Sequence, residues 1–197
     1  MNKSQISNTT AQKAEFLIRE KMRGFDLSFR TTWGLFSYQR IDPGTKLLAE
    51  NIMVKPGMSC LDLGCGYGVL GVVTGKLGAG QVTMVDRDIA AVEYTKINCS
   101  LNNIGNFRVI ASNGFESAGD EKFDLIVSNL PTHTANDMIE WLISETEKHL
   151  NPGGELWVVN VNAVKRFIES KLNKTFGNYE LVIRNSTHAV AKSRKTG

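Results

Sequence analysis

From Met58 onward, short apolar runs alternate with longer stretches whose apolar positions recur at helical spacing, and turn residues separate the two. The pattern predicts strands over residues 58–63, 81–85, 107–111, 123–127 and 155–161. Between them it predicts helices over 69–77, closed by Gly78 and Gly80, and over 89–101, with Asp88 as the cap. Further helices are expected over 135–150, stopped by Asn151-Pro152-Gly153-Gly154, and over 164–172. Residues 179–184 and 187–191, joined through Asn185-Ser186, read as an antiparallel hairpin. Repeated strand–helix alternation implies a parallel sheet covered on both faces. The expected fold class is therefore α/β: a Rossmann-like, mostly parallel seven-stranded sheet with a C-terminal antiparallel hairpin.

Upstream the pattern differs. Over residues 8–22, Ala14, Phe16, Leu17 and Ile18 cluster among Lys13, Glu15, Arg19 and Glu20, which predicts a helix. Residues 26–37 alternate and are rich in aromatics and threonine, as in an extended or hairpin segment. Asp42-Pro43 then reads as an N-cap with proline in the first helical position, opening a helix through Leu47, Leu48 and Ile52. The expected organisation is a helical extension over 1–27 and one domain over 28–197. At 197 residues the chain suits one well-packed domain. No apolar run approaches a membrane span, and no secretory signal is seen. Cys60, Cys65 and Cys99 lack zinc-type spacing and form no even disulfide set, which points to a reducing cytoplasm. Three scattered histidines without ligand-spaced partners give no metal site. The net charge of +3 permits a nucleic-acid partner without requiring one. The oligomeric state stays open, with a monomer favoured.

The chemistry is concentrated in Leu61-Asp62-Leu63-Gly64-Cys65-Gly66-Tyr67-Gly68, a buried strand breaking into a glycine turn that opens a helix. Ligands of open α/β sheets settle beside such turns, at the carboxyl ends of strands. The dinucleotide fingerprint G-x-G-x-x-G requires a glycine where Val69 stands, and Asp62 would repel a pyrophosphate. S-adenosylmethionine, which carries a cationic sulfonium and an ammonium but no phosphate, fits better. Asp86, ending the next strand about 20 residues on, is placed to accept hydrogen bonds from ribose hydroxyls, with Arg87 beside it. Asn113 either presents its amide to the adenine edge or builds an Asx-turn. Ser128-Asn129-Leu130-Pro131-Thr132-His133 follows the strand over 123–127. There the Asn129 side-chain oxygen and a backbone carbonyl beside Pro131 can accept the two protons of an exocyclic amine, and proline stiffens the loop. His133 is either a substrate contact or a surface histidine. His149 is expected on the carbonyls of its helix end.

These motifs resemble the small-domain class of S-adenosylmethionine-dependent methyltransferases, and in particular the catalytic half of ribosomal small-subunit RNA guanine-N2 methyltransferases and their compact archaeal-type relatives. The resemblance runs from Trp33 to the C-terminus. Besides the glycine turn it rests on Gly34-Leu35-Phe36-Ser37, on Ile41-Asp42-Pro43-Gly44-Thr45-Lys46-Leu47-Leu48, and on Ala111-Ser112-Asn113. It implies a class I methyltransferase fold, with Phe36, Gly44 and Thr45 near the cofactor's methionine end. Asp62 and Gly64 would lie beneath the cofactor, with Cys65, Gly66 and Gly68 completing the turn, Asp86 on the ribose and Asn113 near adenine. Asn129 would stand at the amine being methylated, and Thr132 and His133 at the substrate. The chain departs from the family's usual Asn-Pro-Pro-aromatic loop, since Leu130 replaces a proline and Thr132 the aromatic. RNA would then be gripped by the short N-terminal helix and by basic residues such as Lys165, Arg166, Lys171 and Lys174 or the tail Lys192, Arg194 and Lys195. The implied activity is methyl transfer to an exocyclic amine of a base in RNA, guanine N2 of small-subunit ribosomal RNA foremost. Three alternatives are methylation of a protein glutamine amide, a non-catalytic cofactor-binding module, and a nicotinamide-dependent oxidoreductase. The glycine spacing and Asp62 disfavour the last.

Overall fold

The computed structural model describes residues 14–117, 119–131 and 135–196. Strands β1 (Glu15–Met22) and β2 (Phe25–Thr32) come first, followed by helix α1 (Pro43–Asn51). Strand and helix then alternate through β3 (Ser59–Leu63), α2 (Val69–Lys76), β4 (Gln81–Asp86), α3 (Ile89–Leu101), β5 (Phe107–Ala111) and β6 (Phe123–Asn129). Helix α4 (Asn136–His149), β7 (Leu150–Val161), α5 (Lys165–Phe176), β8 (Glu180–Arg184) and β9 (His188–Arg194) complete the order. Seven strands form one sheet in the order β5-β4-β3-β6-β7-β9-β8. β5, β4, β3, β6 and β7 pair in parallel, and β9 runs antiparallel between β7 and β8. This is the doubly wound architecture with a terminal hairpin that the alternation implied.

Both faces of the sheet are covered because its central strands are apolar on both sides. In β6, Leu125 and Val127 join the cluster of α1, α2 and α3, while Ile126 joins that of α4 and α5. In β7, Trp157 and Val159 take the first side and Leu156 and Val158 the second. Each such fully buried side chain contributes about 1.5–3 kcal/mol by leaving water.

The helix expected over 8–22 is not what forms. Its described part is β1, which pairs with β2 from Glu15↔Thr32 to Met22↔Phe25. Burial in β1 has a period of two, with Ile18 and Met22 inward and Glu15, Arg19 and Lys21 outward. The turn decides the outcome: Arg23 and Gly24 both have positive φ, 52° and 84°, the backbone of a two-residue hairpin. The remainder of that helix, residues 8–13, lies outside the described residues. The expected division after residue 27 would cut β2, whose Leu27 and Phe29 are buried in one cluster with α1–α3.

The free edge of β2 is closed by side chains rather than by a strand. Asn98 Oδ1 accepts from Arg30 N at 2.7 Å and its Nδ2 donates to Arg30 O at 2.9 Å. One helical turn on, Asn102 makes the same pair with Ser28, at 3.0 and 2.7 Å. Two asparagines at i, i+4 thus supply the ladder a neighbouring strand would have made, which blunts an edge that invites unwanted pairing. A second difference is at 151–154, expected as a helix stop preceding a strand. The strand β7 begins already at Leu150 and absorbs this tetrapeptide, with Gly153 at φ 80° and a register shift opposite Phe123 and Leu125.

Candidate functional site

The glycine turn lies where β3 ends, between the ends of β4 and β6. Gly64 and Gly66 sit at φ 74° and 55°, and a Cβ on either would meet nothing within 4 Å. The backbone therefore bends around open space on its outer side. On the inner side it is held from three directions. Gly64 N and Cys65 N donate to Val85 O at 2.9 and 3.0 Å. Asp86 Oδ2 accepts from Gly66 N at 2.8 Å, while its Oδ1 accepts from Asp88 N at 3.0 Å. From α3, Thr95 Oγ1 donates to Gly66 O at 2.8 Å and Asn98 Nδ2 to Tyr67 O at 2.8 Å. A carboxylate has about four acceptor positions, so Asp86 can brace the turn and still receive two further donors.

Asp62 lies behind the turn, 1% exposed. Its Oδ2 accepts from Gly71 N at 2.8 Å, in the first turn of α2. Its Oδ1 is buried with no hydrogen-bond partner among the described residues. Burial pushes its pKa up to about 7, against the lowering effect of the Gly71 N–H, and Asp86 adds a further rise. A half-satisfied buried carboxyl under an open turn suits a ligand bearing positive charge, because a cation favours its ionised form.

A pH dependence follows. With a folded pKa above the ordinary 3.8, Asp62 binds a proton in the native state that the unfolded chain has released. Its contribution to stability is full below about pH 4, and it is lost as pH rises towards 7, at up to about 1.4 kcal/mol per unit. The ligand-free protein is expected to lose melting temperature across pH 5–7 relative to Asp62→Asn, which lacks this slope. Paired thermal melts of the two proteins check it, and parallel curves would contradict it.

The buried thiols do not compete for a chemical role. Burial holds Cys60 and Cys99 protonated, pushing each up to about 12, and lifts Cys65 well above its ordinary value. Cys65 Sγ lies 3.6 Å from Thr95 Oγ1, so only its backbone belongs to the turn's outer side.

At the end of β6 stands Asn129. Its Nδ2 donates to Asp42 Oδ2 at 3.0 Å and to Thr45 Oγ1 at 2.9 Å, which uses both amide hydrogens. The same Asp42 Oδ2 accepts from Thr45 N at 2.8 Å as the N-cap of α1. The amide is thereby fixed with its oxygen as the remaining functional atom, and no described residue donates to that oxygen. Gly44 permits this close packing: a Cβ there would stand 3.0 Å from Asp42 Oδ2 and 2.8 Å from His188 Cδ2. Leu130 buries its side chain and donates its N–H to Val159 O at 3.1 Å, which aligns the loop backbone with β7. Pro131 follows on the surface. Thr132 and His133 lie outside the described residues.

The segment between β2 and α1 closes over this region. Tyr67, inside the glycine turn, donates its hydroxyl towards Ser37 O and Arg40 O at 3.4 and 3.3 Å. Phe36 is 65% exposed on that segment. Arg87 is exposed beside Asp86. Asn113 is also exposed, and its Nδ2 donates to Glu116 Oε1 at 2.9 Å. The turn there is built by Ser112, whose Oγ accepts from Ser117 N at 3.0 Å and donates to Gly114 O at 2.9 Å. His149 bridges Glu145 O and Gly119 O at 2.8 and 3.0 Å, stacked on Phe115. This satisfies the helix-end role expected of it.

Three residues of the arrangement carry no sequence motif of their own as partners of the site. Thr95 and Asn98 are polar positions on the buried face of α3, and that break in an apolar stripe was their one signal. Asp42 was legible as a cap, not as the anchor of an asparagine 87 residues away. The basic residues proposed to grip RNA are largely committed elsewhere. Lys165 pairs with Glu169, Lys171 and Lys174 with Glu140, Lys192 with Glu180 and Lys195 with Glu147. Arg194 donates to Gly153 O, and Arg166 remains exposed. Among the described residues no three His, Cys, Asp or Glu side chains are grouped to hold a metal. No helix among them is long and apolar enough to cross a membrane.

Comparison with known proteins adds the family. A model of the methyltransferase small domain matches residues 26–192. A ribosomal RNA small subunit methyltransferase C from Hamiltonella defensa is 35% identical over 187 residues, 91% of this chain and 54% of that protein. Its counterpart from Haemophilus influenzae is 38% identical over 170 residues, 84% of this chain and 50% of that protein. The chain spans about half the length of the curated relatives it matches. Among solved structures, T. thermophilus 16S rRNA N2 methyltransferase (RsmC), in complex with AdoMet and guanosine, aligns with a TM-score of 0.82 at 25% identity, over 92% of this chain and 50% of that one. The ribosomal protein L11 methylase of Lactobacillus delbrueckii subsp. bulgaricus aligns at 0.64 and 28% identity, over 81% and 88%. With the glycine turn, the capped Asp42 helix and Asn129 all inside the matched span, the chain belongs to the methyltransferase small-domain family.

Proposed function

We propose that this chain binds S-adenosylmethionine and transfers its methyl group to an exocyclic amine of a base in RNA, the N2 of guanine in small-subunit ribosomal RNA. The observation that carries the proposal is the fixed amide of Asn129, both of whose hydrogens are held by Asp42 and Thr45. β6, which carries it, is the direct neighbour of the strand that ends in the glycine turn. The matched relatives act, by their names, on ribosomal RNA, and the T. thermophilus protein was solved with AdoMet and guanosine.

The residues at the turn fit the cofactor: open space outside Gly64 and Gly66, and an unpartnered buried oxygen on Asp62. When bound, S-adenosylmethionine supplies a methyl on positively charged sulfur. In this reading Asp62 favours the cation from below, while Gly64, Cys65, Gly66 and Gly68 line it with backbone. Asp86 accepts from the ribose hydroxyls, flanked by Arg87, and Asn113 faces adenine. Phe36, Gly44 and Thr45 close over the methionine end, and Thr132 and His133 line the substrate side.

An aryl amine is a poor nucleophile because its lone pair is delocalised into the ring. Asn129 Oδ1 and the Leu130 carbonyl accept its two hydrogens, which aims the nitrogen at the methyl and favours the pyramidal, charge-developing form. With the cofactor bound, the new N–C bond would form as the S–C bond breaks, leaving an uncharged thioether, and the amine's surplus proton would pass to water. No strong base is required, since the nitrogen becomes acidic as it acquires charge.

Methyl-labelled cofactor incubated with the protein and cell extract tests the substrate class. Label is expected to be lost to nuclease and to survive protease. Label that survives nuclease and is lost to protease would replace RNA with a protein amide as substrate.

A further inference from the structure

We infer that Arg184 and Arg166, on the carboxyl rim of the sheet beyond Asn129, hold backbone phosphates of the RNA strand that carries the target base. The inference rests on the RNA reading above, and it moves the RNA grip from the lysines of α5 and the tail to two arginines. Strand register gives the placement. Asn129 pairs with Val159, Val159 with Val190 and Val190 with Ile183, so these four residues form one row across β6, β7, β9 and β8. Three strand spacings make that row about 14 Å long. β8 runs parallel to β6, and Arg184 is one residue beyond the row, as Leu130 is beyond Asn129. Val190 faces the cluster of α1–α3, so its neighbour Ala189 and the paired Arg184 face the α4–α5 side. Leu130 buries its side chain on that same side. Arg184 thus lies on the side to which the chain turns as it leaves Asn129 for α4.

The guanidinium is held in place. Its Nε donates to Asn162 Oδ1 at 3.1 Å, while Asn162 N donates to Thr187 O at 2.8 Å and its Nδ2 to Asn185 O at 3.0 Å. Asn185 Oδ1 accepts from Thr187 N and His188 N at 2.9 and 2.7 Å. The far end of this turn reaches the site, since a Cβ on Gly44 would stand 2.8 Å from His188 Cδ2 and 3.0 Å from Asp42 Oδ2, the anchor of Asn129. Of the five N–H donors of Arg184 one is used, and the two Nη groups keep a planar fork that matches a phosphate. Arg166 stands four residues after Asn162, exposed in the first turn of α5. Neither arginine has an ion-pair partner among the described residues, in contrast to the paired lysines of α5 and the tail.

The charge of the rim changes sign along its length. Around the cofactor turn, Asp62, Asp86, Asp88 and Glu116 outnumber Arg87. Towards β8, Glu169 pairs with Lys165, Glu140 with Lys171 and Lys174, and Asp42 Oδ2 accepts from Asn129 and Thr45. Asp137 sits in the first turn of α4, where a negative charge suits the helix dipole. That leaves Arg166 and Arg184 as the unpaired cations among the described residues of that half. A cationic cofactor and a polyanionic strand are thereby drawn to opposite halves of one rim.

The test is Arg184→Ala, Arg184→Lys and the double change Arg166→Ala, Arg184→Ala in the full chain. Each is titrated over a range of salt with a guanine-containing single-stranded oligoribonucleotide and with oligouridine of the same length. Arg184→Ala is expected to weaken both about tenfold, the worth of one charge-assisted contact. Equal loss on the two strands is the mark of a phosphate contact rather than a base contact. The double change should flatten the slope of log K against log salt by about 1.4, as for two phosphates of a single strand. Arg184→Lys keeps the charge without the fork, so it should keep the slope and recover part of the affinity. KM for RNA should rise in the double variant while cofactor affinity and kcat at saturating RNA stay within about twofold. Replacing the paired Lys171 and Lys174 by alanine should change RNA affinity by less than about twofold. Unchanged affinity and slope in the double arginine variant would overturn the inference, as would loss confined to the guanine-containing strand or a larger loss from the two lysines. If the unaltered protein neither binds nor methylates RNA, the functional reading falls as well; if it does both and the double arginine variant matches it, this inference falls alone.

Discussion

Asn129→Ala is expected to lower kcat by about a hundred- to a thousandfold, the loss seen when one preorganised polar group is taken from a developing charge. The substitution removes the oxygen that accepts the amine hydrogen. It also removes Nδ2, the donor that Asp42 Oδ2 and Thr45 Oγ1 share. Both of those oxygens keep other contacts, since Asp42 Oδ2 still caps Thr45 N at 2.8 Å. The fold should therefore survive with little change. Cofactor affinity by calorimetry should move by less than about tenfold, which separates loss of chemistry from loss of binding. Asn129→Asp is the sharper variant: it keeps shape but brings a second carboxylate against Asp42, replacing two donated hydrogen bonds with repulsion. A fully active Asn129→Asp would show that the anchoring contacts do not matter.

Asp42→Ala is expected to act at a distance and in two readouts at once. As the N-cap of α1 its loss should cost about 0.5–2 kcal/mol of stability, or about 1–8 °C in melting temperature for a chain of this size. As the anchor of Asn129 its loss frees the amide to rotate, and misplacement on the scale of an ångström costs up to about a hundredfold in rate. A drop of about ten- to a hundredfold in kcat is expected. Asp42→Asn tells the two roles apart from a general folding defect, because its side-chain oxygen can still cap Thr45 N and accept from Asn129. Stability and most of the activity should return together in that variant. Rescue of melting temperature without rescue of rate would mean that the charge, rather than the geometry, is what Asn129 needs.

The alternating core of the chain was readable because each signal there is local. Apolar runs of strand length, helical spacing, the Asp42-Pro43 and Asp88 caps and the glycine stops all lie within one element. Where a long-range contact decided the structure, the reading failed. The cluster Phe16-Leu17-Ile18 suits a helix or a strand equally, and the choice fell to the positive-φ turn at Arg23-Gly24 and to Asn98 of α3 and Asn102 at its C-cap, which hold β2. The Asn-Pro-Gly-Gly segment has turn composition, yet β6 pairs only on either side of it, at Leu150 and Glu155, and backbone bonds between Gly153, Gly154 and Lys195 hold it in β7. Likewise the positions of the site were legible one by one, while their wiring was not. No spacing rule links Asp42 to Asn129, or Thr95 to Gly66, because only the packed sheet brings those pairs together. The lysines of α5 and the tail looked available in sequence and proved to be paired, mostly with glutamates on other elements.

One measurement bears most directly on the account. The protein and its Asn129→Ala variant, each first shown by calorimetry to bind S-adenosylmethionine, are incubated with small-subunit ribosomal RNA and methyl-labelled cofactor, and the RNA is digested to nucleosides. The account predicts label on N2-methylguanosine from the first protein and a hundredfold or greater deficit from the second. Cofactor-loaded wild-type protein that leaves guanine N2 unlabelled, or a variant that labels it equally well, would contradict it.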